Sequence, residues 1–134
     1  MSFITFDEHY QLGHQEIDDQ HAKLFRAVNQ LYDAMLAGHA REELDNILRF
    51  LRAYTIKHFA TEEKLMEQTV YPGYRKHKAI HEQLTQQVAD LVDKHQAGQV
   101  TLSLDVFNFL RDWLAVHIDQ EDRRMVGFLH SKGL

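Results

Sequence analysis

The chain contains no cysteine, which excludes a disulfide framework, a thiolate metal site and a cysteine nucleophile. It has a single proline, Pro72, and only six glycines, so it is neither collagen-like nor a low-complexity chain. No stretch approaches the ~18 consecutive apolar residues that a spanning helix needs, and no membrane span is expected. Basic runs are also missing: 15 Lys+Arg against 20 Asp+Glu give a net charge of −5, which argues against a nucleic-acid partner. The opening MSFITFDEHY has no basic segment followed by an apolar one. No secretory leader is therefore expected, and the expected location is cytoplasmic.

What is present is a chain of 134 residues, 44% hydrophobic and 26% charged, the values of one ordinary globular domain. A domain of this size buries a core without covalent staples. The excess is in histidine: ten residues, scattered along the chain rather than gathered into a tract.

Gly38, the Pro72-Gly73 pair and Gly98 divide the chain after residue 18 into four segments of helical length. Each carries an apolar stripe of helical period. The first reads Leu24, Phe25, Val28, Leu31, Tyr32, Met35, and the second Leu44, Ile47, Leu48, Leu51, Tyr54, Leu65, Met66. The third reads Tyr74, Leu84, Val88, Leu91, Val92, and the fourth Val106, Phe109, Leu110, Trp113, Leu114, with Met125 beyond. Four amphipathic helices joined by short connections predict an all-α, up-down-up-down four-helix bundle. The whole chain, 1–134, is expected to form one domain, with an irregular arm over 1–18 and the bundle over about 19–130.

Several polar residues interrupt those stripes on their inner side. His21 precedes Leu24 and Phe25 by three and four residues; His58 follows Tyr54 by four, and Glu62 follows His58 by four. His77 and His81 continue from Tyr74 toward Leu84, and His117 follows Trp113 and Leu114 by four and three. Five histidines and a glutamate thus point inward from all four helices. Unpaired buried polar groups cost a few kcal/mol each, so a metal is the natural organiser. In an antiparallel bundle, a rise of about 1.5 Å per residue brings these positions within one or two turns of a common level. Asp122 is less clear from spacing: five residues after His117 place it about 140° around an α-helix, reachable from the flank or through a local π-type turn.

Imidazole and carboxylate without sulfur suit iron, zinc or manganese. Seven such groups exceed the four of a tetrahedral zinc. They suit two octahedral ions bridged by two carboxylates and an oxo or hydroxo group, with one position left vacant.

With these residues in place, the chain resembles the hemerythrin family in its bacterial single-domain form. The resemblance is carried by GHQEIDDQHAKLF, HFATEEKLM, YPGYRKHKAIH and DWLAVHIDQED, and runs from about Phe6 to Phe128. It implies a non-haem di-iron site that binds dioxygen reversibly, in an oxygen-binding protein rather than an enzyme. By the family pattern His77, His81 and His117 hold one iron, His21 and His58 the iron with the open position, and Glu62 and Asp122 bridge. Trp113 and Leu114 match positions lining the dioxygen pocket, where small anions such as azide also bind. His14 departs from the apolar residue of many relatives and is not assigned as a ligand. His9, His39, His95 and His130 are read as solvated, as are Glu63 and Glu121.

Two other functions compete. A ferritin-like di-iron oxidase or peroxidase uses Glu-x-x-His on two helices, a pattern found nowhere in this chain. A sensor of dioxygen, nitric oxide or iron would act through an unknown protein partner, since no attached output domain is expected.

Overall fold

The computed structural model describes residues 3–99 and 101–134. Four helical runs follow one another: α1 (Gln15–Leu36), α2 (Arg41–Thr69), α3 (Tyr74–Gln96) and α4 (Leu104–His117), the last continuing through a π-helical turn (Ile118–Asp122) into α5 (Arg123–Ser131). No strand occurs among the described residues. The architecture is the four-helix bundle that the stripes predict. Helix α1 begins at Gln15, so the last residues of the 1–18 stretch are helical rather than irregular. The arm before it holds one 3₁₀ turn, Glu8–Tyr10.

The helix ends follow from local chemistry. His14 caps α1: its Nδ1 accepts from the Ile17 N–H at 3.4 Å, while Asp18 accepts from the N–H groups of Leu12 and Gly13. Ser103 caps α4 in the same manner. Helix α2 stops at Val70, which adopts left-handed φ 54°, ψ 50°. That conformation costs a β-branched residue free energy.

The arm is fastened across the bundle. Asn29 exchanges two hydrogen bonds with the backbone of Ile4, and Phe6 and Tyr10 both pack edge-on against Phe25. Phe3 stacks on Tyr32 and meets Phe107.

The interior comprises two apolar regions. The larger includes Leu24, Phe25, Val28, Leu31, Leu48, Leu51, Val88, Val92, Phe107 and Leu110. The smaller consists of Ile17, Met66, Met125, Val126 and Leu129. Along every helix the inward polar residues fall between members of the two regions, so a polar layer lies between two apolar plugs.

Two expectations about individual residues are corrected. Phe109, assigned to the fourth stripe, is 39% exposed, because the inward face of α4 is taken by Phe107, Leu110, Trp113 and Leu114. His95, read as solvated, is buried near the end of α3 and hydrogen-bonds through Nδ1 to Asp45 of α2. His9, His39 and His130 are exposed as expected. They pair respectively with Asp119, Glu43 and the Gly13 carbonyl.

Candidate metal centre

The polar layer brings together seven side chains from every helix of the bundle: His21 (α1), His58 and Glu62 (α2), His77 and His81 (α3), His117 (α4) and Asp122 (the π turn). All seven are buried. They form two overlapping groups, each with its donor atoms within 4.8 Å of one another. One consists of Glu62, His77, His81, His117 and Asp122; the other of His21, His58, Glu62 and Asp122. The two carboxylates are common to both.

Asp122 arrives by the π turn. The Arg123 N–H donates to the Ile118 carbonyl, an i→i+5 bond that inserts an extra residue into the turn. This rotates Asp122 onto the face of His117, and the Asp122 Oδ1 lies 3.0 Å from the His117 Nε2. The geometry that left Asp122 uncertain in an ideal α-helix is thereby resolved.

Contacts at the centre are short and numerous. Asp122 faces His21 at 3.0 Å and His77 at 3.0 Å. Glu62 faces His58 and His81 at 3.0 Å, His77 at 3.2 Å and His21 at 3.5 Å. Most of these approaches are not aligned as hydrogen bonds. The cluster accounts for every buried side-chain atom lacking a hydrogen-bond partner among the described residues. Those atoms include Nε2 of His21, His58, His81 and His117, Glu62 Oε2 and both oxygens of Asp122. Native interiors hold only a few such groups per hundred residues, and here nine of these atoms gather in one cluster. Nitrogen and oxygen lone pairs converging without partners are the donor set of a coordinated cation, and imidazole plus carboxylate suits iron, zinc or manganese.

Without a cation the charges adjust to one another. Burial lowers the pKa of His21, but the facing carboxylates of Asp122 and Glu62 outweigh it and raise it to about 9. His77 is raised to about 10 by the same pair against the same opposing burial. Burial prevails at His58, which is lowered. Burial opposes ionisation of Glu62 and Asp122, yet the surrounding imidazoles hold both carboxyls below their ordinary range.

Residues outside the seven orient them. His58 Nδ1 donates to Gln20 Oε1 at 2.7 Å, and Gln20 Nε2 donates to Thr61. His81 Nδ1 donates to Glu63 Oε2 at 3.1 Å, while Phe59 stacks on the His81 ring with centroids 3.8 Å apart. Glu63 is therefore not simply solvated; its side chain is 23% exposed and engaged. The sequence reading leaves Gln20 and Phe59 without a role and takes Glu63 as solvated. Gln20 was detectable, standing four residues before Leu24 on the inner face of α1.

A cavity of ≈ 10 Å³, the size of about one water-sized sphere, borders the cluster at His21 and His58 of one donor group, His117 of the other and the shared Asp122. Its wall includes Leu24, Phe59, Leu84 and Ile118 together with Trp113 and Leu114. Trp113 is held by donation from Nε1 to the Leu84 carbonyl at 3.2 Å.

A four-helix bundle enclosing a buried, histidine-rich, cation-binding cluster defines the class of protein. Comparison with known proteins specifies it further. The family model for the hemerythrin HHE cation-binding domain matches residues 12–129. A bacteriohemerythrin of Methylococcus capsulatus is 39% identical over 106 residues, covering 79% of this chain and 80% of its own. The myohemerythrin of Sipunculus nudus is 31% identical over 125 residues, 93% and 92% of the two chains. A crystal structure of wild-type hemerythrin superimposes with a TM-score of 0.89 at 33% identity, covering 96% of this chain and 98% of that one. The chain belongs to the hemerythrin family.

Proposed function

We propose that this chain, as a single domain over residues 1–134, binds dioxygen reversibly at a non-haem di-iron site. His21, His58, Glu62, His77, His81, His117 and Asp122 would hold the two ions. The observation that carries this reading is the pair of overlapping donor groups sharing Glu62 and Asp122. The three-histidine group would hold one ion and the two-histidine group another, each drawing also on Glu62 and Asp122. When bound there, a ferrous pair would supply the electrons for reversible dioxygen binding.

The chain's own residues favour binding over turnover. The two-histidine group has one fewer imidazole, and both of its histidines line the small cavity, together with His117 and Asp122. Trp113 and Leu114 line that cavity and are 7% and 4% exposed. An apolar wall of this kind would keep bulk water from the site, and the ligands proposed there are dioxygen or a small anion such as azide. With five imidazoles and only two carboxylates the site carries little negative charge, which favours the ferrous state over the high-valent iron of an oxidase. Action within the cytoplasm and exchange with a protein partner belong to the same proposal.

The test is an optical spectrum. Anaerobically reduced, iron-loaded protein should be nearly colourless, gain a visible charge-transfer band on exposure to oxygen, and lose it when oxygen is removed. Steady substrate oxidation without a reversible band would favour the oxidase instead.

A further inference from the structure

The two halves of the cluster differ in what stands behind them. On the three-histidine side, the His81 Nε2 faces Glu62 and its Nδ1 donates to the carboxylate of Glu63. On the two-histidine side, the His58 Nε2 faces Glu62 and its Nδ1 donates to the neutral amide oxygen of Gln20. Both second nitrogens are engaged at hydrogen-bond distance, one by an anion and one by a dipole. His21 Nδ1 and His117 Nδ1 have no partner at all, so Glu63 is the one carboxylate bonded to the outer nitrogen of any of these four imidazoles.

A carboxylate drawing on Nδ1–H gives the ring imidazolate character and makes Nε2 a stronger donor; an amide does so far less. The contact is also held in place. Phe59 stacks on His81 with rings inclined by 7°, fixing the plane in which Nδ1 meets Glu63. Glu63 lies on the wall of a groove between α2 and α3, beside Arg52, Ile56 and Glu82. Its exposure there moderates the effect without abolishing it.

We infer that Glu63 is a positioning residue that makes the two metal positions unequal: through His81 it strengthens the three-histidine half and favours higher charge there, while Gln20 leaves the two-histidine half the weaker and more easily reduced. The inference rests on the di-metal reading proposed above. It goes beyond that reading by assigning the asymmetry to residues that touch no metal.

Redox-inert loading tests it. Titrating the metal-free chain with cobalt(II), followed by calorimetry and by the cobalt absorption bands, should give two binding events. His117→Ala, which removes a side chain found only in the three-histidine group, identifies the event belonging to that half. Glu63→Gln keeps the hydrogen bond and removes the charge. It should weaken that event by about tenfold, the lower range for outer-sphere partners of metal-bound histidine, and leave the other within about twofold. Glu63→Asp should recover part of the loss. Gln20→Glu, a second and independent variant, should tighten the other event. In the iron form, Glu63→Gln should move the reduction potential to more positive values. Equal weakening of both events, indifference of both, or no gain from Gln20→Glu would overturn the assignment. Uptake of a single cobalt by the unmodified chain would overturn the two-ion reading itself, and this inference with it.

Discussion

Six histidines are buried among the described residues, and they fall into two regions that solve burial differently. Toward one end of the bundle, His21, His58, His77, His81 and His117 crowd around Glu62 and Asp122 with many of their donor atoms unpartnered. Toward the other end, His95 stands alone, bonded to Asp45, and no atom of the pair is orphaned. Arg41 completes that second region, donating from Nε and Nη2 to the His95 carbonyl at 3.2 and 3.0 Å and closing the C-terminal end of α3. Burial of histidine is therefore no sign of a metal. Unmet coordinating capacity is, because a protein that merely tolerates a polar core residue supplies its partner.

The contrast is most easily broken by substitution in each region. His77→Ala should abolish two-iron loading and the visible band, and destabilise the fold further because metal binding is coupled to folding. His95→Ala should leave iron content and spectrum intact and cost about 1–3 kcal/mol, the penalty of stranding Asp45. Iron analysis and chemical denaturation of both variants check this. Iron loss from His95→Ala would erase the distinction.

At Leu114 the apolar wall can be separated from ordinary core. Leu114→Ala should cost about 2–5 kcal/mol, keep the iron, and accelerate decay of the oxygenated band by admitting water and anions. Decay at the unmodified rate, measured where both proteins are folded, would make Leu114 core and nothing more.

The metal-free and metal-loaded proteins should respond to pH in opposite directions. In the metal-free chain His21 and His77, raised to about 9 and about 10, contribute stability that is complete below the unfolded value of 6.5 and lost as pH rises through 9 and 10. Glu62 and Asp122, held low, contribute stability present above their ordinary carboxyl range and lost as pH falls below it. His58, lowered, adds stability as pH climbs toward 6.5 and nothing more above it. The metal-free protein should thus weaken between pH 7 and 10. The metal-loaded protein, which needs neutral imidazoles and ionised carboxylates, should resist alkali and release its ions in acid. Denaturation midpoints across that range decide the matter; a metal-free midpoint rising toward pH 10 would contradict the charge arrangement.

The smallest effect lies outside both regions. Val70→Gly should relieve the left-handed strain and raise stability by about 0.5–1 kcal/mol, without change in iron content. A lowered melting temperature would show that Val70 is held there by contacts worth more than the strain.

The bundle was legible in the sequence because its stripes repeat at helical period over long segments, and the six inward groups because each replaces an apolar residue on a stripe. Asp122 was not secured by spacing, since a π turn leaves no periodic signature and only the i→i+5 bond at Ile118 reveals it. His95 and Glu63 were misread for a related reason. Both stand near solvent in sequence terms, His95 by a helix end and Glu63 beside an inward neighbour. Their burial depends on partners 50 and 18 residues away, Asp45 and His81. Phe109 failed in the opposite sense, an apolar residue on the edge of a stripe whose centre was already filled.

In the proposed function, the orphaned donors of the polar layer are the coordination sphere of two ions. Elemental analysis of the protein purified after expression in iron-replete medium tests it most directly. Two irons per chain are expected, falling to none on equilibration with chelator in acid. One zinc per chain with no iron would contradict the account.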